Sequence, residues 1–241
     1  MNVADIVILA VLGISVLFGM YRGFVSTVLN TGGCLISFAA SFWLYPLLSG
    51  LFQGNEGLQA TLLNYTDASR RIGDAVLSGK SVAGLTGGEI AEVVKRTGLP
   101  GSLGELLQDA LTGRTFAGIA TVEEYVSRVI VTVCINILCF VVTFLALYLA
   151  VSLIISLIQH VLQFPVLKQL DSAAGAFFGA LRGIVLLFVL FTLLPMIETM
   201  MPLSAGGGHA AVSGLLEGSR LAGLVSSDAL IRAIMRGRMF G

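Results

Sequence analysis

The chain is poor in the residues that carry most soluble-protein chemistry. Only 12% of its 241 residues are charged, against about 25% in an ordinary soluble domain. It has two histidines and three cysteines. His160, His209, Cys34, Cys134 and Cys139 are scattered without ligand spacing, so no metal site is expected. The cysteines fall inside apolar runs, where a thiol behaves as a small hydrophobe. Fourteen basic and fourteen acidic side chains cancel. No basic field exists for a polyanion, and no nucleic-acid partner is expected. No G-x-x-x-x-G-K phosphate loop occurs, which removes nucleotide hydrolysis by that route. No cofactor is expected.

What the chain has instead is apolar length. Hydrophobic residues make up 56% of it and the mean hydropathy is +0.94, far from the composition of a disordered chain. Sixteen uncharged residues separate Asp5 from Arg22, and thirty-three separate Arg22 from Glu56. Residues 129–167 contain no Asp, Glu, Lys or Arg. A fourth uncharged run, Gly183–Ile197, becomes long enough to cross if 173–182 continues the same helix. A hydrocarbon core of about 30 Å takes about 20 helical residues, and in lipid such runs must satisfy their own backbone as helices. The expected fold is all-α and polytopic, with four transmembrane helices near 4–21, 23–46, 128–160 and 174–197. Pro46 and the Gly50 region are expected to end the second near Leu48. The third run is too long for one crossing, so tilt, a bend or a projecting end is expected.

The expected organisation is a first transmembrane hairpin at 1–49, an extracytoplasmic or interfacial helical segment at 50–125, a second hairpin at 126–198, and an amphipathic tail at 199–241. The first apolar run has no positive n-region and no A-x-A-like cleavage site, so it is expected to remain in the mature protein. Short connections carry Arg22 and Lys168, with Arg182 a helical stretch later. The positive-inside rule therefore places both turns in the cytoplasm and the N-terminus, residues 50–125 and the tail outside. Arg220, Arg232, Arg236 and Arg238 in the tail pull the other way.

Residues 50–125 hold fifteen of the twenty-eight charged side chains. They read as surface helices punctuated by glycine. Ile90, Val93 and Val94 share one face, as do Leu103, Leu106, Leu107 and Leu111, and Thr121 with Glu124 matches a capping box. A folded domain is not expected, because 76 residues this poor in aromatics have little core to bury. In the tail, Leu230, Ile231, Ile234 and Met235 follow a helix start at Ser227/Asp228. With the arginines opposite, they predict an interfacial helix or one that docks on a partner.

One motif is repeated. FGMYRGFV begins at Phe18 and FGALRGIV at Phe178, both F-G-x-x-R-G-apolar-V. Gly19 and Gly23, like Gly179 and Gly183, are four apart, a small-x-x-x-small step that lets another helix approach closely. Gly175 extends the second copy into a stripe, expected to serve packing, with a pore lining as the other reading. Arg22 and Arg182 sit between the glycines, where a guanidinium can bind phosphate oxygens or lipid carbonyls. Two copies at two span entrances would make the hairpins a parallel repeat, an arrangement known in transporters.

These residues also carry a family likeness. Asn2-x-x-Asp5 before an apolar helix, then Gly19-x-x-Arg22-Gly23-Phe24, resembles the bacterial colicin V production (CvpA) family. Leu170-Asp171, the Gly175/Gly179/Gly183 helix with Arg182, and Glu217-Gly-Ser219-Arg-Leu continue the resemblance. It implies a multi-pass protein of the bacterial inner membrane linked to toxin production or export and to envelope homeostasis.

Enzyme readings fit poorly, and no catalytic residue is assigned. Glu123-Glu124-x-x-x-Arg128 matches the opening of intramembrane CAAX-type proteases, but the histidines that chemistry needs are missing from suitable spans. Ser15 and Ser37 lack the G-x-S-x-G context of a serine nucleophile, and hydroxyls inside spans are expected to bond their own helix. Asp5, Arg22, Arg128, Arg182 and Glu198 all read as anchors near span ends. The expected function is a non-enzymatic membrane protein with the lipid bilayer as its solvent and a homo-oligomer or an envelope protein as partner. The alternative is a small channel or transporter built from the repeated hairpin. The candidate functional or packing residues are Asp5, Gly19, Arg22, Gly23, Asp171, Gly175, Gly179, Arg182, Gly183 and Ser219.

Overall fold

The computed structural model describes residues 3–55, 71–99, 101–113, 118–161, 168–194 and 228–236, with positions 57, 59, 62, 196 and 197. Among them the chain is an all-α, multi-pass membrane protein. Its helices are α1 (Val3–Arg22), α2 (Phe24–Gln53), α3 (Ala75–Ser78), α4 (Gly87–Thr97), α5 (Gly101–Gly113), α6 (Val122–Val161), α7 (Lys168–Thr192) and α8 (Asp228–Arg236). Four are long and apolar enough to cross a bilayer, over Asp5–Arg22, Phe24–Gln53, Val122–Gln159 and Ser172–Thr192. Glu198 and the Glu217–Ser219 segment lie outside the described residues.

Two of these helices depart from the sequence expectation. α2 runs through Pro46 to Gln53 instead of stopping near Leu48. Proline removes one backbone bond, but transmembrane helices tolerate that loss where neighbouring groups re-satisfy the carbonyl. α6 is one helix of 40 residues, about 60 Å at 1.5 Å per residue. A bilayer core accounts for half of that length. Its first turns, carrying Glu123, Glu124 and Arg128, are the polar end.

Contacts group the chain into two units that share α2 and α6. The first comprises α1, α2 to Tyr45, α6 from Phe140, and α7. α1 begins with Asp5 and ends with Arg22, each charge matched to its end of the helix dipole. Gly23 then adopts φ 79°, a left-handed conformation that glycine takes at no steric cost. The Thr27 hydroxyl donates to the carbonyls of Gly19 (3.1 Å) and Gly23 (2.7 Å), which also accept from the Gly23 and Thr27 N–H groups across the break. Along α2, Phe24 meets Phe178 and Phe38 meets Phe188, so α2 runs parallel to α7. Gly33 lies against Val151 and Ile155, and Phe38 packs edge-on to Phe140 and Phe144, so α2 runs antiparallel to α6. Aromatic edges at 5–6 Å hold this layer together.

The second unit holds 46–139 and α8. Its residues before α6 were expected to be short of core, yet a core is present. The first turns of α6 supply Val122, Tyr125, Val126, Val129 and Ile130, all fully buried, and α5 adds Leu103, Leu106, Leu107 and Leu111. The Tyr125 hydroxyl donates to the Ala110 carbonyl at 2.6 Å. What the segment lacks in apolar residues, the projecting end of α6 provides. α4 is fixed by a capping box absent from the sequence reading: the Glu89 carboxylate accepts from the Thr86 backbone N–H at 2.9 Å. Lys80, which donates to Glu89 and pairs with it, holds that carboxyl down at about 2, helped by the two Thr86 donors. At Thr121 only half the expected box forms, with the Glu124 N–H reaching the Thr121 hydroxyl at 3.4 Å.

The tail helix finds its partner within the chain. α8 lies on α5 with Ile231, Ile234 and Met235 buried. Arg232 donates to Glu105, and Arg236 to Asp109 at 2.5 Å, with all four side chains largely exposed. Its amphipathic pattern thus serves intramolecular docking.

Candidate functional site

Five of the ten candidate residues, Gly19, Gly23, Gly175, Gly179 and Gly183, meet in the first unit where α1 and the turn after it pack on α7, and Arg22 and Arg182 line a cavity beside them. Facing residues rise along α7 as they fall along α1, so the two helices are antiparallel. A Cβ on Gly19 would drive into the Gly175 carbonyl, and one on Gly175 into the Gly19 carbonyl. A Cβ on Gly179 would sit 2.5 Å from the Ser15 carbonyl oxygen, and one on Gly183 3.0 Å from a Leu12 methyl. At Gly19, Gly175 and Gly179 the backbones touch because these positions have no side chain, and glycine there is a packing requirement; at Gly183 the neighbours are the Leu12 and Ser15 side chains.

Hydroxyls reinforce this seam. Ser15 donates to the Gly179 carbonyl at 2.7 Å, and Thr31 of α2 donates to the Phe178 carbonyl at 3.0 Å. Ser15 was expected to bond its own helix, as Ser37 does at 2.7 Å to Gly33. The difference is spacing: with glycine opposite, the neighbouring carbonyl comes within reach.

Beside the seam lies a cavity of about 440 Å³. Its polar lining is Ser15, Arg22, Asn30, Tyr148, Ser152 and Arg182. Val11, Ile14, Phe18 and Leu186 form an apolar wall. The two arginines of the repeated motif thus line one space, although 160 positions separate them in sequence. Arg22 is exposed at the end of α1, whereas Arg182 is largely covered. The Arg182 guanidinium carbon lies over the Tyr148 ring, 5.5 Å from its centroid, within cation–π range. Its Nε is buried and meets no acceptor. Among the described residues neither guanidinium is paired with a carboxylate.

The depth of Arg182 corrects the sequence expectation. It was read as an anchor near a span end, with the second motif copy at a span entrance. α7 begins at Lys168 and its apolar window is Ser172–Thr192, so Arg182 stands at the middle of the crossing. The helix includes the run 173–182, as the expected span at 174–197 required, and starts six residues before that span, at Lys168. The two motif copies consequently differ in backbone: the first straddles the break at Gly23, while the second is continuous helix.

The remaining candidates are placed as follows. Asp5 is half-buried in the first turn of α1, and Gly23 is buried at the break. Asp171 lies in α7, but its side chain is outside the described residues, as is all of Ser219. Tyr148, Asn30 and Ser152 join the cavity although no motif marks them. They are single polar residues in apolar runs, and only the register between helices brings them together. Arg128, in the second unit, donates to the Gln59 side chain. That unit has its own polar node: Asn136, 1% exposed, donates to the Met235 carbonyl at 3.0 Å and accepts from the Ser49 hydroxyl at 2.5 Å.

A family model described as colicin V production protein matches residues 4–99 and 110–229. No curated protein and no solved structure matches the chain.

Proposed function

The chain belongs to the colicin V production protein family, and from that premise we propose a non-catalytic membrane protein that supports toxin production or export, or envelope homeostasis. It would sit in the bacterial inner membrane with the turns after α1 and before α7 in the cytoplasm and both termini outside. It acts by assembly, with further copies of itself or with an envelope protein.

The observation that supports this reading most is the seam of Gly19, Gly175, Gly179 and Gly183. Candidate residues are committed there to holding α1 against α7, which is the work of a scaffold. Large apolar side chains point away from the seam: Ile14 is 57% exposed, Leu17 65% and Trp43 84%. These surfaces suit lipid or a neighbouring membrane helix. The test is a clean deletion complemented by wild type or by Gly179→Leu. Deletion should lower toxin yield in the medium or raise detergent sensitivity, and only wild type should restore it. A deletion strain normal in both respects would refute the role.

One observation favours the alternative of a small channel or transporter. A mid-span arginine lining a cavity is a common mark of a solute path. Purified protein in liposomes should then carry anion flux, and a flux indistinguishable from protein-free liposomes removes that reading.

A further inference from the structure

We propose that the cavity between Arg22 and Arg182 is a binding site for a phosphate-bearing anion, and that its apolar wall takes the hydrocarbon of a phosphate ester. This goes beyond the scaffold role and stands without it.

Four observations converge. Arg182 lies mid-span, where an ionisable side chain is retained for a use and turned toward a partner or a cavity. Its guanidinium lies over the Tyr148 ring and also bonds the Tyr148 side chain, while its buried Nε has no acceptor. A guanidinium carries five donors in a fork that matches phosphate and carboxylate oxygens, so one partner leaves others to give. Arg22 brings a second guanidinium to the same space, and among the described residues no carboxylate lines it. Among those residues two positive groups thus share a cavity with no negative one.

Phosphate fits better than carboxylate. A carboxylate offers two oxygens in one plane, which a single fork satisfies. Two guanidiniums borne on different helices approach from different directions, and a tetrahedral anion has oxygens for both. Ser152 adds a hydroxyl, whereas the Asn30 amide already donates to the Ser26 carbonyl at 2.8 Å. The cavity also exceeds what a bare anion needs. Ile14 and Phe18, 57% and 55% exposed, carry its wall onto the outer face of α1, where a lipid chain can lie. The shared chemistry is the phosphate group, and the sources are an anionic phospholipid or free phosphate.

Titration calorimetry on the full-length protein in an uncharged maltoside detergent separates the outcomes. The probes are a short-chain phosphatidylglycerol, inorganic phosphate, and a diacylglycerol of the same chain length. Phosphatidylglycerol should bind saturably and the diacylglycerol at least about tenfold more weakly, a loss in the range of one charge-assisted hydrogen bond. Arg22→Gln and Arg182→Gln should each weaken binding about tenfold, and Arg182→Lys should fall between, keeping the charge without the fork. Arg128→Gln should leave it unchanged. Inorganic phosphate binding as tightly as phosphatidylglycerol assigns the site to free anion and overturns the role of the apolar wall, and much weaker binding assigns it to lipid. Absence of saturable binding by both phosphate probes overturns the proposal. So does a diacylglycerol that binds as tightly, or a pair of glutamine variants that bind like wild type. Should Arg182→Gln fail to fold, Arg22→Gln decides, since an exposed side chain at a helix end is not needed for folding.

Discussion

Adding one methyl group at Gly175 should separate α1 from α7. The alanine Cβ would point into the Gly19 carbonyl, a backbone atom of a packed helix that cannot rotate away as a side-chain tip could. At Gly179 the same change puts the Cβ 2.5 Å from the Ser15 carbonyl oxygen, where 3.4 Å begins ordinary contact. The helices must therefore part by about 0.9 Å there, stretching the 2.7 Å Ser15–Gly179 bond. Overpacking costs about 1–3 kcal/mol, and an interhelical hydrogen bond in a membrane adds about 0.6 kcal/mol. Gly13→Ala is the control, because nothing lies within 4 Å of its Cβ position. There the change removes a helix-interior glycine, worth up to about 1 kcal/mol in favour of alanine. In thermal unfolding in detergent, Gly175→Ala and Gly179→Ala should both melt several degrees below wild type, at about 2–4 °C per kcal/mol for a chain this long. Gly13→Ala should melt at or above it. The packing argument fails if both seam variants melt with Gly13→Ala.

Three further outcomes are expected. A cysteine at Ser102 should react with a membrane-impermeant thiol reagent in intact cells and one at Ser172 should not, and the reverse labelling would invert the proposed orientation. The three native cysteines are buried, which keeps the background low. In the tail, Ile234→Ala empties a fully buried position and should cost about 2–5 kcal/mol, exposing α8 to limited proteolysis. Arg232→Ala breaks an exposed ion pair with Glu105 and should cost less than about 1 kcal/mol; equal protease sensitivity in the two would show that charge, not burial, docks the helix. At α4, the folded Glu89 carboxyl titrates lower than an unfolded one. Its contribution is therefore present above about 4.5 and is lost as pH falls toward about 2. Protection of 87–97 against hydrogen exchange, relative to the intrinsic rate at each pH, should fall in that window, and Glu89→Ala should already have lost it at pH 6. A variant that keeps wild-type protection at pH 6 would refute the capping role.

How much of this was legible in the sequence follows from the range of each interaction. Spans are read from charge gaps, because a bilayer taxes every charge locally, and all four crossings were found on that basis. The period-four glycines were visible as a stripe, but not the carbonyls of Gly19 and the backbone of Ser15 that fill it. Those depend on the register of two helices 160 positions apart. Tyr148, Asn30 and Ser152 were invisible for the same reason.

The repeated motif shows where local pattern stops deciding. Phe18-Gly-x-x-Arg-Gly and Phe178-Gly-x-x-Arg-Gly share their spacing, yet Gly23 turns to φ 79° while the chain runs straight through Gly183. Four residues further on, Thr27 adds a hydroxyl donor to the carbonyls of Gly19 and Gly23, which also accept from the Gly23 and Thr27 N–H groups at 3.2 and 3.1 Å, so the break is bridged on both sides. The residue four after Gly183 is Leu187, fully buried and without a donor to give. A break at Gly183 would strand backbone acceptors in an apolar setting, a cost that a continuous helix avoids. One copy therefore ends a helix and delivers Arg22 to its rim. The other keeps the helix and carries Arg182 to the middle of the span, which is how one motif supplies both ends of a single cavity.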